Sequence, residues 1–226
     1  MNITRIQITG LYRKNFDIPI IDNTIILIGT NGTFKSAILK LVSSALSGHE
    51  VKNHHFESMT ITVDDKDYYF KSVDGVVFGD YVMISDDTEI LHITNEYTVN
   101  LTKEKRDNYS YGLSDFKFQE TIAILNEYFY DSGKFIDEDA IDPDSLSDGE
   151  IKLLKLFLDI SEIGKKYMIF FDDVETNLSL RWQKRFLTDI LASGKCSFLM
   201  AVTHSPFIYT DLEEYRAEIT RLETLK

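Results

Sequence analysis

The sequence predicts an α/β fold, with a mainly parallel core sheet flanked by helices, an antiparallel β subdomain and a small helical subdomain. Three observations predict it. Apolar runs without alternation, at residues 25–28, 167–171 and 197–202, are separated by helical patterns, as in parallel strands covered on both faces. Between residues 56 and 101, β-branched and aromatic runs are broken by turn clusters such as Asp74-Gly75 and Asp86-Asp87, the pattern of an antiparallel meander. Residues 119–130 return to helical spacing, with Ile122, Leu125 and Phe129 on one face, before an acidic, turn-rich stretch at 131–145.

Residues 3–11 alternate as a strand with one wet face, and residues 16–20 form a second strand that Pro19 places at an edge. The apolar run 25–28 then leads into Gly29, Thr30, Asn31, Gly32, Thr33 and Phe34, and Lys35, Ser36 and Ala37 open a helix. Strand, glycine-containing loop and Lys-Ser at a helix start form the layout of a phosphate-binding P-loop. Backbone N–H groups and the helix N-terminus point at the anion. Lys35 reaches the β/γ-phosphates of a bound nucleotide, and the Ser36 hydroxyl ligates Mg²⁺. The pattern G-x-x-x-x-G-K-[ST] is broken at one place, where Phe34 replaces the second glycine. The competing reading of this stretch is a strand–turn–helix with a coincidental Lys-Ser. Ile38, Leu41, Val42, Ala45 and Leu46 form the apolar face of the following helix, and Gly48 ends it.

Residues 81–84 and 90–93 read as further strands of the meander. A helix is expected from Ser147 to about residue 163, a buried strand at 167–171, a helix with Trp182, Phe186, Leu187 and Ile190 at core spacing, and a last buried strand at 197–202. Asp172 and Asp173 close the first of these strands, at the strand end where α/β proteins place their chemistry. Asp172 is positioned to hold Mg²⁺ beside Ser36, and Asp173 to orient or deprotonate water; the alternative is an ordinary strand-end carboxylate pair. Leu146-Ser147-Asp148-Gly149-Glu150 starts a helix as a capping box, or alternatively presents Ser147 and the Gly149 N–H to a γ-phosphate. Thr203-His204-Ser205-Pro206 follows the last strand, where His204 can donate to phosphate or serve only the turn that Pro206 forces.

Composition narrows the classes. A chain of 226 residues, 43% hydrophobic and 27% charged, is one globular domain with room for an inserted subdomain. A net charge of −13 disfavours non-specific nucleic-acid binding, and the basic spots Arg5, Arg13-Lys14 and 103–106 read as solvated surface. Direct nucleic-acid binding is left open pending a clustered basic face. The single Cys196 excludes an internal disulfide, no h-region opens the chain, and no run approaches the ~20 apolar residues of a membrane span, so a cytoplasmic protein is expected. His49, His54 and His55 lack zinc spacing, and Asp137, Glu138, Asp139, Asp142 and Asp144 lack calcium-loop spacing.

The four motifs occur in one order: P-loop, L-S-x-G at a helix start, two aspartates ending an apolar strand, and T-H-S-P after another. That order resembles the ABC-type ATPase family of P-loop NTPases. It looks most like the non-transporter branch of RecF, SMC and OLD-type ATPases, the last often found in phage defence. Asp173-Val174-Glu175-Thr176-Asn177-Leu178 is similar to that branch's E-P-E-T-N-L, with Asp173 and Val174 as departures. The resemblance implies ATP and Mg²⁺ as ligands. Lys35 and Ser36 become the Walker A pair, Asp172 the Walker B aspartate, Asp173 the catalytic base and His204 the switch histidine. Ser147 and Gly149 belong to the signature motif, which acts in trans, and Asn177 lies in the D-loop. No Q-loop glutamine is placed; Gln119 is a poor candidate. The resemblance further implies a head-to-tail homodimer with two sandwiched nucleotides, acting on a separate effector protein in a setting such as antiviral defence. No coiled coil and no nuclease-like region after His204 is expected.

One ABC-type domain is expected over 1–226. It divides into N-terminal strands with P-loop and helix (1–50), an antiparallel β region (51–105), a helical and acidic insertion (106–145), and the signature helix, Walker B, D-loop and switch histidine (146–226). Three functions follow in order of preference: a hydrolysing ATPase that regulates a partner, an ATP-sensing scaffold with little turnover, and the ATP-binding subunit of a transporter.

Overall fold

The structure, a computed structural model, describes residues 1–48, 55–74, 76–93, 115–136, 146–161 and 164–220. His49, His54, the basic spot at 103–106, the acidic residues from Asp137 to Asp144 and the Gln119 side chain lie outside the described residues. In chain order the strands and helices are β1 (Ile3–Leu11), β2 (Lys14–Pro19), β3 (Thr24–Ile28), α1 (Lys35–Ser47), β4 (Ser58–Val63), β5 (Lys66–Val73), β6 (Val76–Gly79) and β7 (Thr88–Ile93). The remainder are α2 (Asp115–Phe129), α3 (Asp148–Asp159), β8 (Lys166–Phe171), α4 (Leu180–Ala192), β9 (Cys196–Val202) and β10 (Arg216–Glu218).

Two sheets result. The antiparallel sheet has the order β2-β1-β4-β5-β6. Its β1–β2 and β4–β5 hairpins close through Tyr12-Arg13 (φ 48° and 66°) and Asp64-Asp65 (φ 48° and 61°). Positive φ at both central residues matches the twist of the flanking strands. Pro19 sits in β2, an edge strand, as its missing N–H requires. The second sheet, β10-β3-β9-β8-β7, is parallel throughout.

The parallel strands are apolar on both faces because both faces are covered. Ile25 and Leu27 of β3, Met168 and Phe170 of β8, and Phe198, Met200 and Val202 of β9 join one core with α1 and the antiparallel sheet. The alternate residues Ile26, Ile169, Phe171, Leu199 and Ala201 join a second core with α2, α3 and α4. The parallel sheet is thus a partition between two cores, and its strand ends carry the loops considered below.

Three expectations are corrected and one strand is added. Residues 90–93 do not belong to the meander: β7 pairs in parallel with β8, His92 opposite Phe170 and Ile93 opposite Phe171. Residues 81–84 form no strand: Val82 and Ile84 pack on the first core, but Tyr81 and Met83 are about four-fifths exposed and no strand pairs with the segment. The helix at 147–163 is shorter, ending at Asp159, with Gly164 at φ 78° beyond it. Residues 216–218, unassigned from sequence, are an edge strand pairing with Ile26 to Ile28. The antiparallel sheet also draws on both of the first two expected regions, since β1 pairs with β4.

Candidate functional site

β3 delivers the loop at 29–34 to the end of the parallel sheet, where Phe34 and the following helix α1 join the first core. Gly29 has φ 142°, and a Cβ there would lie 2.4 Å from the Ile219 carbonyl oxygen, so only glycine fits. Ile219 is brought there by its N–H, which donates to Ile28 O at 2.8 Å. Thr30, Asn31 and Gly32 are exposed at the tip, while Thr33 is buried and its hydroxyl donates to Thr30 O at 2.8 Å. Phe34 stands at φ 71°, ψ 12°, the left-handed conformation that explains why the pattern prefers glycine. Its ring finds a place. It stacks on Tyr12 of the β1–β2 turn, centroids 4.7 Å apart and planes 15° apart, with the Lys14 ammonium 5.8 Å from its centroid. The Phe34 carbonyl still accepts from Ile38 N at 2.9 Å, so α1 starts as the motif requires, and Ala37 lies in its first turn.

Lys35 is 4% exposed and curls over the loop, donating to Gly29 O at 2.9 Å and Thr30 O at 3.0 Å. Burial lowers its pKa, while Asp173, Glu175 and Asp172 pull it back up. One ammonium facing three carboxylates leaves this region net negative, so a phosphate taken by Lys35 in place of the loop carbonyls would have to bind together with a cation. The Ser36 hydroxyl donates to Asp172 Oδ1 at 2.7 Å, joining residues 136 positions apart. Hydroxyl and carboxylate oxygens side by side suit a hard divalent cation such as Mg²⁺, which Ser36 and Asp172 would hold. Lys40, one turn along α1, holds its ammonium 3.9 Å from Asp172 Oδ2.

Asp172 is fixed by its N–H, which donates to Ile93 O at 2.9 Å. The same pairing brings His92 alongside, where desolvation lowers its pKa against an upward pull from Asp172, with Lys40 adding to the lowering. Asp173 adopts φ 54°. His204 is exposed at the end of β9, and its N–H donates to Glu175 Oε1 at 2.8 Å while the Thr203 hydroxyl donates to Oε2 at 2.6 Å. Glu175 therefore joins the Asp173 segment to the His204 segment.

Ser147 and Gly149 stand apart from this cluster, on α3. The capping box is present: Ser147 Oγ accepts from Glu150 N at 3.4 Å, and Glu150 Oε2 accepts from Ser147 N at 2.7 Å and Ser147 Oγ at 2.9 Å. Glu150 is 2% exposed and is neutralised by Lys134 at 2.6 Å. Several donors to the carboxylate hold its pKa below the usual range, against desolvation, which raises it. Gly149 has its own requirement within the chain: a Cβ would meet the Asn177 carbonyl oxygen at 2.0 Å. Three residues along, buried Lys152 donates to Val174 O at 3.0 Å and Thr176 O at 3.1 Å.

The residues expected from sequence thus fall into two groups. Gly29 to Ala37, Asp172, Asp173 and His204 line one region, and Ser147 and Gly149 sit behind the loop at 173–177. Lys40, His92, Lys152 and Glu175 were not singled out as site residues. The signal for Lys152 was its position on the apolar stripe of Gly149, Leu153 and Leu156; Glu175 carried only its place in the D-V-E-T-N-L match.

A P-loop at the end of β3, with its serine bonded to an aspartate two strands away in a parallel sheet, defines a P-loop NTPase architecture. Solved structures make the class narrower. An SMC head bound to the C-winged helix domain of ScpA aligns over 93% of this chain and 92% of its own, with a TM-score of 0.59 at 15% identity. The SMC head domain from Thermotoga maritima aligns over 100% and 97%, with a TM-score of 0.59 at 13% identity. A putative ABC transporter ATP-binding protein from Pyrococcus furiosus aligns over 96% and 98%, with a TM-score of 0.55 at 15% identity. No family model and no curated protein matches the sequence. The chain has the fold of ABC-type ATPase domains and SMC heads, as the order of its motifs implied. Among the described residues, no helix is long and apolar enough to cross a membrane.

Proposed function

We propose that this chain binds ATP with Mg²⁺ at the Gly29–Ser36 loop, hydrolyses it, and uses the nucleotide to bring two copies together head to tail. The observation that carries the reading is the Ser36–Asp172 hydrogen bond beneath the Lys35 loop, which assembles the phosphate and cation ligands from opposite ends of the sequence. Ser36 and Asp172 would hold Mg²⁺, which would neutralise phosphate charge there. Lys35 exchanges its carbonyl partners for phosphate oxygens, Asp173 orients the attacking water and accepts its proton, and His204 donates to the γ-phosphate. Ser147 and the N-terminus of α3 close over the nucleotide of a second copy, as the resemblance implies. ATP then stabilises the closed pair against the repulsion of two acidic chains, and hydrolysis releases it. The output is regulation of a separate partner protein, with antiviral defence as the setting that the likeness to OLD-type ATPases suggests. Calorimetric titration with ATP tests the first step: the wild type binds and Lys35→Ala does not, whereas equal binding by both would overturn the assignment of the loop.

A second reading, an ATP-sensing scaffold with little turnover, is favoured by Asp173. Aspartate is one methylene shorter than the glutamate usual at that place. Asp173→Glu separates the two readings: a rise in turnover at unchanged ATP affinity supports the scaffold reading for the natural chain, and a fall supports Asp173 as the working base.

A further inference from the structure

The segment 173–177 is held from two sides. Toward α3, the Asn177 carbonyl rests on Gly149, and the Lys152 ammonium donates to the carbonyls of Val174 and Thr176. Toward β9, Val174 N donates to Val202 O at 3.1 Å, and the Glu175 carboxylate takes the Thr203 hydroxyl and the His204 N–H. The two ends of the segment, Asp173 and Asn177, are both left-handed, at φ 54° and 64°. Such a path is adopted only where its surroundings over-determine it.

Lys152 has no part in the reaction just described, yet it is 7% exposed on an otherwise apolar face of α3. Burying an ammonium is unfavourable unless its donors are satisfied and an opposite charge is near. Here two backbone carbonyls satisfy it, and the charged groups facing it are Glu175 and Asp173. A methionine or leucine would fill the same stripe at lower cost. The feature unique to the lysine is that one charged head reaches two carbonyls of the segment that begins with Asp173.

We infer that Lys152 is a positioning residue: it straps the 173–177 segment to α3, so that the Asp173 carboxylate is held for its own chain's P-loop while Asn177 is held against the helix that carries Ser147. The catalytic role rests on the ATPase reading above; the strap itself does not.

Lys152→Met tests it with two readouts. Hydrogen exchange of the Val174, Thr176 and Leu178 amides, bonded to Val202, Asp173 and Glu175 carbonyls, accelerates, while the Ile38 amide of the P-loop helix is unchanged. Turnover falls about tenfold or more, since misplacement of a reacting group by about 1 Å costs up to ~100-fold, and ATP affinity stays as in the wild type. Lys152→Arg, which keeps a cation with several donors, restores both. Should Lys152→Met fail to fold, Lys152→Gln takes its place with the same expected split. Unchanged exchange overturns the strap. Unchanged turnover, or a loss of ATP affinity matching the loss of turnover, overturns the positioning role. A wild type that binds ATP without hydrolysing it contradicts the ATPase reading, and the exchange result then decides the strap alone.

Discussion

Phe34 is the residue at which the motif and the structure can be set against each other quantitatively. Its left-handed backbone costs about 1 kcal/mol relative to glycine. Against that stand the stacked Tyr12 pair, about 1 kcal/mol, burial of roughly half a phenyl ring, about 1 kcal/mol, and the Lys14 ammonium over the ring, about 0.5 kcal/mol. Phe34→Ala forfeits these contacts and keeps the strain, a loss of about 2.5 kcal/mol on those terms. Phe34→Gly forfeits the same contacts but relieves the strain, a net loss of about 1.5 kcal/mol. For a chain of this size that ranks the thermal midpoints wild type, then Phe34→Gly lower by about 3–6 °C, then Phe34→Ala lower by about 5–10 °C. Thermal unfolding followed by circular dichroism reads the order directly. ATP affinity of Phe34→Gly stays at the wild-type value, because the backbone already has the conformation glycine would adopt. A Phe34→Gly variant more stable than the wild type would mean that the ring is a source of strain rather than of packing, and would refute the reasoning.

Two further outcomes are expected. Gly149→Ala places a methyl 2.0 Å from the Asn177 carbonyl oxygen, a backbone clash that costs about 1–3 kcal/mol and lowers the urea midpoint; an unchanged midpoint would show that the 173–177 segment yields freely. Lys152 has a folded pKa of about 8 against 10.5 when unfolded. Between those values the unfolded chain holds the extra proton, so the penalty of burying the charge is felt in full below pH 8 and relieved as pH rises. Stability of the wild type relative to Lys152→Met therefore increases between pH 7.5 and 10, by about 2 kcal/mol, measured by urea denaturation at both pH values. A decrease over that range would contradict the burial of a charged Lys152.

The parts of the fold that carry the P-loop were legible because their signals are local. The runs at 25–28, 167–171 and 197–202 are apolar at every position, and the structure uses every position, alternate residues going to opposite cores. The Ser147–Glu150 capping box could be read from a spacing of three. What was not legible depends on partners distant in sequence. Thr88 to Ile93 is as β-branched as the meander before it, and only its neighbour β8 makes it a parallel strand. Residues 81–84 have strand-like composition, but Tyr81 and Met83 face solvent and the segment pairs with no neighbouring strand. Arg216-Ala217-Glu218 has no apolar signal, because an edge strand needs only backbone groups to pair with β3. At the site, the motif order put Asp172 beside Ser36, and the two are hydrogen-bonded, whereas the reasons for Gly149, Lys152 and Glu175 lie in the loop at 173–177 and on β9. The ring of Phe34 could be questioned from sequence, but its place on Tyr12 requires knowing that the β1–β2 turn lies beside the loop.

The central claim is that the catalytic site is completed by a second copy of this chain acting through ATP. ATP turnover per protomer, measured with Mg²⁺ across a range of protein concentrations, tests it most directly. The account predicts a rate per protomer that climbs with concentration and levels off once the head-to-tail pair is filled. A rate that stays constant while the protein remains monomeric would contradict it, as would the absence of ATP binding at any concentration.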